Sequence, residues 1–267
     1  MTRRPFTAYS LFLFDVELKE CRSLWKGRLK RSEINLFIAN AIDFFEEHHF
    51  SLPPFAHWTL EEWRQREHEM GEIRDRQLGW DVTDFNSGNF SAVGLTLFTL
   101  RNGGFSAVNH DKPYAEKIMM VREQQITPLH RHDRKTEDII NRGNSASGNL
   151  VVQLYNSTED GRLANTPVTV TCDGIMRHTE AGGTIVLRTG ESITLPPGLY
   201  HSFYSVNGSA LIGEVSSTND DATDNLFYQP LSRFPEILED EPPFRLLCTE
   251  YPGVPPPVNP TNAANHI

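Results

Sequence analysis

Two short segments of this chain gather side chains that bind cations. The first reads Thr127-Pro128-Leu129-His130-Arg131-His132, with Glu137 following after four more residues. In an extended strand side chains alternate, so His130 and His132 project to one face while Leu129 and Arg131 face away. Two imidazoles placed this way can ligate a single ion, and a carboxylate beyond a bend can swing in as a third ligand. The second segment runs Gly190-Glu191-Ser192-Ile193-Thr194-Leu195-Pro196-Pro197-Gly198-Leu199-Tyr200-His201. It reads as a strand, a tight Pro-Gly turn and a second strand opened by a histidine that suits a fourth ligand. A bare His-x-His carries little weight in a chain with ten histidines, since such residues are often surface or hydrogen-bonded side chains. The two segments together point to a metal site.

Other polar side chains stand in unusual company. Lys117 lies in the apolar-rich run Ala115–Val121, where an ammonium is costly to bury without a partner. The bland alternative is the solvent face of an alternating strand. Glu214 stands between apolar residues in the strand after His201, with the same two readings. Glu236, in Phe234-Pro235-Glu236-Ile237, is either a second acid/base group or a helix-start carboxylate. Gln153 can hydrogen-bond a ligand hydroxyl or satisfy a buried backbone group. Trp80-Asp81 and Thr83-Asp84-Phe85 can line a pocket for an apolar-faced ligand, or form a packing turn with Asp as a cap.

The elements that must position these groups follow from patterning. Apolar Ile34, Phe37, Ile38, Ala41, Ile42 and Phe45 recur at helical spacing behind Ser32, which is read as the cap of a helix ending near His48-His49. Thr59-Leu60-Glu61-Glu62 is a capping box opening a second, highly charged helix. Beyond Phe85 the texture changes to eight short β-rich runs: 95–100, 115–121, 150–155, 168–172, 184–187, 192–195, 201–206 and 210–216. Their close spacing argues for a sandwich or small barrel rather than βαβ units. The expected architecture is mainly β: an appendage over 1–29, a helical segment over 30–85, a β-barrel over 86–251 and a Pro- and Asn-rich tail over 252–267.

Composition narrows the function. A chain of 267 residues with 38% hydrophobic residues is long enough for a real core, and a net charge of −10 disfavours nucleic acid and anionic membranes. No apolar run approaches a membrane span. Three scattered cysteines, Cys21, Cys172 and Cys248, fit a reducing compartment without a disulfide framework. The expected setting is therefore cytoplasmic.

His130-x-His132-x4-Glu137 and Gly190-x5-Pro196-x-Gly198-x2-His201 resemble the two signature motifs of the cupin superfamily. No Gly stands six residues before His130, and Ser205 replaces the Asn that often ends the second motif; neither change touches a ligand. More narrowly, residues 30–251 resemble the D-lyxose ketol-isomerases. The similarity is carried by Lys30-Arg31-Ser32-Glu33-Ile34-Asn35, Leu52-Pro53-Pro54-Phe55-Ala56, Leu78-Gly79-Trp80-Asp81-Val82-Thr83-Asp84-Phe85 and Pro113-Tyr114-Ala115-Glu116-Lys117. It continues through Glu137-Asp138-Ile139-Ile140-Asn141-Arg142-Gly143, Gln153-Leu154-Tyr155-Asn156-Ser157, Gly213-Glu214-Val215-Ser216 and Arg233-Phe234-Pro235-Glu236-Ile237. Family members begin Met-Lys-Arg-Ser where this chain has Leu29-Lys30-Arg31-Ser32, so residues 1–29 are expected to derive from an upstream start. The stretch Gly143-Asn144-Ser145-Ala146-Ser147-Gly148 is longer than the family's Gly-rich turn and reads as a hairpin tip near the site.

The resemblance implies a cupin jelly-roll barrel and an aldose–ketose isomerase acting on D-lyxose and D-xylulose, or on D-mannose and D-fructose. His130, His132, Glu137 and His201 then hold a divalent ion, for which an oxygen- and imidazole-rich site suits Mn²⁺, with Fe²⁺, Co²⁺ or Zn²⁺ as alternatives. Lys117 becomes the partner of the developing enediolate, Glu214 or Glu236 the base, and Gln153, Trp80 and Asp81 the sugar contacts. A homodimer is the expected assembly. The rival readings are an Fe²⁺ cupin dioxygenase and a sugar-binding or sensory cupin without turnover.

Overall fold

The computed structural model describes residues 28–66, 68–104 and 111–254. Within them lie three α-helices, α1 (Arg31–Glu47), α2 (Leu60–Gln65) and α3 (Gly71–Asp75). The strands are β1 (Leu29–Lys30), β2 (Gly79–Thr83), β3 (Leu95–Arg101), β4 (Tyr114–Val121), β5 (Thr127–Arg131), β6 (Glu137–Asn141), β7 (Asn149–Tyr155) and β8 (Val168–Cys172). They continue with β9 (Ile175–Thr179), β10 (Thr184–Leu187), β11 (Ser192–Leu195), β12 (Tyr200–Val206), β13 (Ala210–Ser217), β14 (Leu226–Phe227) and β15 (Ile237–Leu238). The eight expected strands are all present, with ends shifted by at most one residue.

Two antiparallel sheets face each other in the expected jelly-roll manner. One has the order β10-β7-β12-β5-β14, the other β2-β3-β4-β13-β6-β11-β8-β9. The larger sheet starts earlier than expected: β2 pairs with β3 from inside the stretch read as helical. The β8–β9 hairpin turns on Asp173-Gly174, both at positive φ, the backbone that a two-residue turn demands.

Alternation along the strands sorts side chains between two cores. On β4, Met119 and Val121 join the apolar core between the sheets, while Ile118 faces the other way. There it meets α1, whose Ile34, Ile38 and Phe45 pack with Trp80 and Phe98 over the outer face of the larger sheet. The helix does not begin as expected. Lys30 is its cap, and Ser32 sits in the first turn, where its amide and hydroxyl donate to Asp240 at 2.9 and 2.7 Å. A carboxylate from the C-terminal segment thus replaces a serine cap. The capping box of α2 forms as read, with Thr59 N–H donating to Glu62 and Glu62 N–H to Thr59 Oγ1.

Phe98 is fully buried and its ring lies 5.0 Å from that of Trp80 and 5.2 Å from that of Phe55. Phe98→Ala is expected to lower unfolding free energy by about 3–5 kcal/mol, read by urea denaturation. A loss under about 1 kcal/mol would show that the helical layer contributes little.

Most of the expected appendage and tail (1–27 and 255–267) lies outside the described residues, whereas Leu29, expected at the end of the appendage, is buried and pairs with Ile237 in the sheet of β1 and β15. Tyr251 is buried against Trp63, and its hydroxyl donates to Leu78 O at 2.6 Å. The 143–148 stretch forms the β6–β7 turn, and Ser147 Oγ lies 2.6 Å from Nε2 of His48 at the end of α1. It does not line the site described below.

Candidate metal centre and active site

The four expected ligands converge inside the barrel. His130 on β5 and His201 on β12 are register partners in the smaller sheet, and His132 follows just beyond the end of β5. Glu137 opens β6 on the opposite sheet and reaches across. All four are buried, and their donor atoms lie within 4.8 Å of one another. Gly198, at φ +81, occupies the position of the Pro197-Gly198 turn that favours glycine. Its N–H donates to His132 O at 2.7 Å, tying the second segment to the first.

The hydrogen bonds fix which nitrogen of each ring is free. Nδ1 of His130 lies 2.8 Å from Pro128 O, Nδ1 of His201 lies 3.1 Å from Leu199 O, and Nδ1 of His132 meets Asp224 O. A carbonyl only accepts, so each Nδ1 carries the proton and each Nε2 presents its lone pair. Nε2 of His132 and of His201 are buried without a hydrogen-bond partner. His201 Nε2 lies only 2.9 Å from Glu137 Oε1, a spacing that suits two donors sharing one ion. Burial and the neighbouring His201 and His132 hold His130 well below the usual imidazole pKa. Burial and the Lys135 ammonium lower His132 to about 4. Burial would raise Glu137, but Lys135 and the histidines keep it well below the ordinary carboxylate range. Neutral imidazoles and an ionised carboxylate are what a divalent ion requires. The donor set therefore fits such an ion.

Beside this cluster lies a row of buried charges. Glu214 on β13 pairs in register with Lys117 on β4. Its Oε1 is 3.4 Å from Lys117 Nζ and 3.0 Å from Lys135 Nζ. Lys135 also lies 2.6 Å from Glu137, so it bridges the ligand cluster and Glu214. Burial opposes its charge, but Glu137 and Glu214 raise its pKa above the usual lysine value. Lys117 reaches Asp221 at 3.4 Å. Asp221 is held low, against burial, by Lys117 and Arg233. Arg233 is 2.5 Å from Asp81 and 3.4 Å from Asp221, and its Nη1 is buried without a partner. Lys117, Lys135, Glu214, Asp221 and Arg233 line a cavity of ≈ 430 Å³, counted out to its mouth, with Phe85, Met119, Phe203 and Phe227 among its apolar walls. Charged groups set among apolar walls suit a small polar molecule.

The structure brings Lys117 and Glu214 to the cavity as read from the sequence. Asp81 is one layer back, behind Arg233. Three expected site residues stand elsewhere. Glu236 is 69% exposed and pairs with Arg28 at 3.0 Å, because the short β15 segment turns it outward. Gln153 donates to Gly182 O at 3.0 Å, satisfying a backbone group on the outer face of β7. Trp80 donates to Ala56 O and packs between Phe45 and Phe98, as part of the helix–sheet core. Sequence reading missed Lys135, Asn219, Asp221, Asp224 and Arg233. Lys135 carried no periodic signal, since it lies in the turn before β6 and not in the strand.

A family model described as D-lyxose isomerase matches residues 29–251. The chain is 50% identical over 226 residues to a D-lyxose/D-mannose isomerase of Escherichia coli O157:H7, covering 84% of this chain and 98% of the relative. It is 51% identical over 227 residues to a D-lyxose/D-mannose isomerase of Serratia proteamaculans, with the same coverage of 84% and 98%. Among solved structures, an L-ribose isomerase of Cellulomonas parahominis with L-ribose aligns with a TM-score of 0.51 at 16% identity, over 80% of this chain and 100% of that one. That likeness supports the two-sheet fold alone.

Proposed function

The chain belongs to the D-lyxose isomerase family and is a sugar isomerase, and from that premise we propose that it interconverts D-lyxose and D-xylulose, with D-mannose and D-fructose as a second pair. The reaction moves a proton between C1 and C2 of the open-chain sugar. The observation that carries the reading is Glu214, a buried carboxylate held between two lysines beside the four-ligand cluster.

In this reading His130, His132, Glu137 and His201 hold a divalent ion, Mn²⁺ by the hardness of the donors, with Fe²⁺, Co²⁺ and Zn²⁺ as alternatives. When bound, the ion supplies Lewis acidity toward the sugar carbonyl. Glu214 accepts the C2 proton in its carboxylate and returns it at C1, within reach of the same carbon edge. Lys117 and Lys135, one on each side of Glu214, donate to O1 and O2 as negative charge develops there, and relay the hydroxyl proton that O2 gives up to O1, each lysine ending as the ammonium it began. The open Nη1 of Arg233 donates to a hydroxyl farther along the chain, with Asp81 and Asp221 holding the guanidinium in place. The apolar walls limit water at the reacting carbons.

The same reading places the enzyme in the cytoplasm, supported by the free, buried thiols of Cys172 and Cys248. No helix among the described residues is long and apolar enough to cross a membrane. It also includes a homodimer, supported by the exposed Ile175 and Met176 on the outer strand β9.

The deciding experiment follows D-xylulose formation from D-lyxose by metal-stripped protein, with and without added Mn²⁺. Ketose is expected only with the metal. Metal uptake without ketose would overturn the isomerase reading and favour a binding protein; oxygen consumption would favour a dioxygenase.

A further inference from the structure

One residue outside the ligand set grips both halves of the site. Asp224 lies in the segment between β13 and β14 and is buried. Its backbone carbonyl accepts from His132 Nδ1. Its carboxylate accepts three successive amides of the turn that leads into β6: Asp133 N at 2.9 Å and Arg134 N at 3.2 Å on Oδ1, and Lys135 N at 3.1 Å on Oδ2. Successive N–H groups converging on one point form a concave anion cradle, here filled by the protein itself. Only a carboxylate serves it fully, because an amide offers one oxygen and turns an NH₂ toward the remaining donor. The same segment carries Asn219, whose Oδ1 accepts from Lys117 Nζ at 2.9 Å and Lys135 Nζ at 3.3 Å.

We propose that Asp224 is a positioning residue that couples the ligand His132 to Lys135, so that the metal site and the lysine–Glu214 row are set by one clamp. The inference rests on the isomerase reading of the site. His132 reaches the clamp through its ring, and Lys135 through its backbone. Lys135 in turn spans Glu137 at 2.6 Å and Glu214 at 3.0 Å. Loosening the turn therefore misplaces a ligand and a charge partner of the base together. Cation binding at Nε2 strengthens the Nδ1–H bond to Asp224 O, which in turn tightens the turn.

The test is a Mn²⁺ titration of the full chain, wild type and Asp224→Asn, followed by the electron paramagnetic resonance signal of free Mn²⁺. Binding is expected to weaken about 10–100-fold in the variant. At saturating Mn²⁺ its kcat on D-lyxose is expected to fall by up to about 100-fold, from misplacement of about an ångström, with little change in KM. Wild-type affinity in the variant, or wild-type kcat once Mn²⁺ saturates, overturns the coupling. Should the variant fail to fold, amide hydrogen exchange on the wild type decides. Residues 133–135 are expected to be protected, and more so with Mn²⁺; exchange indifferent to Mn²⁺ overturns the proposal. Wild type that binds Mn²⁺ without turning over sugar removes the isomerase reading alone and leaves affinity and exchange to judge the clamp. Wild type that takes up no Mn²⁺ overturns both.

Discussion

Glu137→Ala is expected to abolish Mn²⁺ uptake and sugar turnover together. Glu137 is the one anionic donor among the four converging residues, and three neutral imidazoles remain without it. The effect is therefore expected to exceed the ~10–100-fold that loss of an outer partner brings. A second cause adds to the first. Lys135 lies 2.6 Å from Glu137, and once the carboxylate is gone its ammonium projects an uncompensated positive field onto the vacated position. Removing one member of a buried ion pair ordinarily costs about 3–5 kcal/mol. Lys135 keeps Glu214 at 3.0 Å and Asn219 at 3.3 Å, so the loss in fold stability belongs at the low end of that range. Metal content after dialysis and urea unfolding of the metal-free proteins separate the two effects. Stoichiometric metal retained by a folded Glu137→Ala protein would remove Glu137 from the ligand set.

The four converging residues were legible because their positions are local. Strand alternation aims His130 and His132 together, and a Pro-Gly turn delivers His201; neither needs knowledge of the rest of the chain. Lys117 and Glu214 stood out as charges in apolar runs, but their pairing depends on the β4–β13 register, which no local pattern sets. Asp221 and Arg233 reach the cavity, and Asn219 and Asp224 the lysines that line it, from irregular segments about 80–150 residues from their partners in sequence. Such segments carry no periodicity to read. Gln153 and Trp80 were chosen by side-chain chemistry suited to a sugar. What decided their roles was the face they occupy: Gln153 points to the outside of β7, and Trp80 toward α1. The strand β2 was missed because both its faces are buried, which erases the alternation that marked the other strands.

Glu214→Gln is expected to leave the metal in place and remove the chemistry. The substitution keeps the shape of the side chain and does not touch a ligand. Lys135 retains Glu137 at 2.6 Å, and Lys117 retains Asn219 at 2.9 Å and Asp221 at 3.4 Å, so neither ammonium is orphaned. A fold that survives with its cation bound has lost only the acceptor for the C2 proton. Loss of a positioned general base costs about 10²–10⁴-fold in rate, and here it should appear in kcat rather than in KM, because the substitution leaves untouched the lysines and Arg233 proposed to hold the sugar oxygens. Solvent deuterium supplies an independent readout. A carboxylate that carries the proton between C2 and C1 exchanges it with water for part of its lifetime, so wild-type turnover in D₂O is expected to label the ketose at C1, and the variant is expected to give none. Wild-type turnover by Glu214→Gln would exclude Glu214 as the base. A slow variant whose wild-type parent places no deuterium at C1 would point instead to a hydrogen that moves between the carbons without visiting the protein, and Glu214 would then serve to hold Lys117 and Lys135 in place.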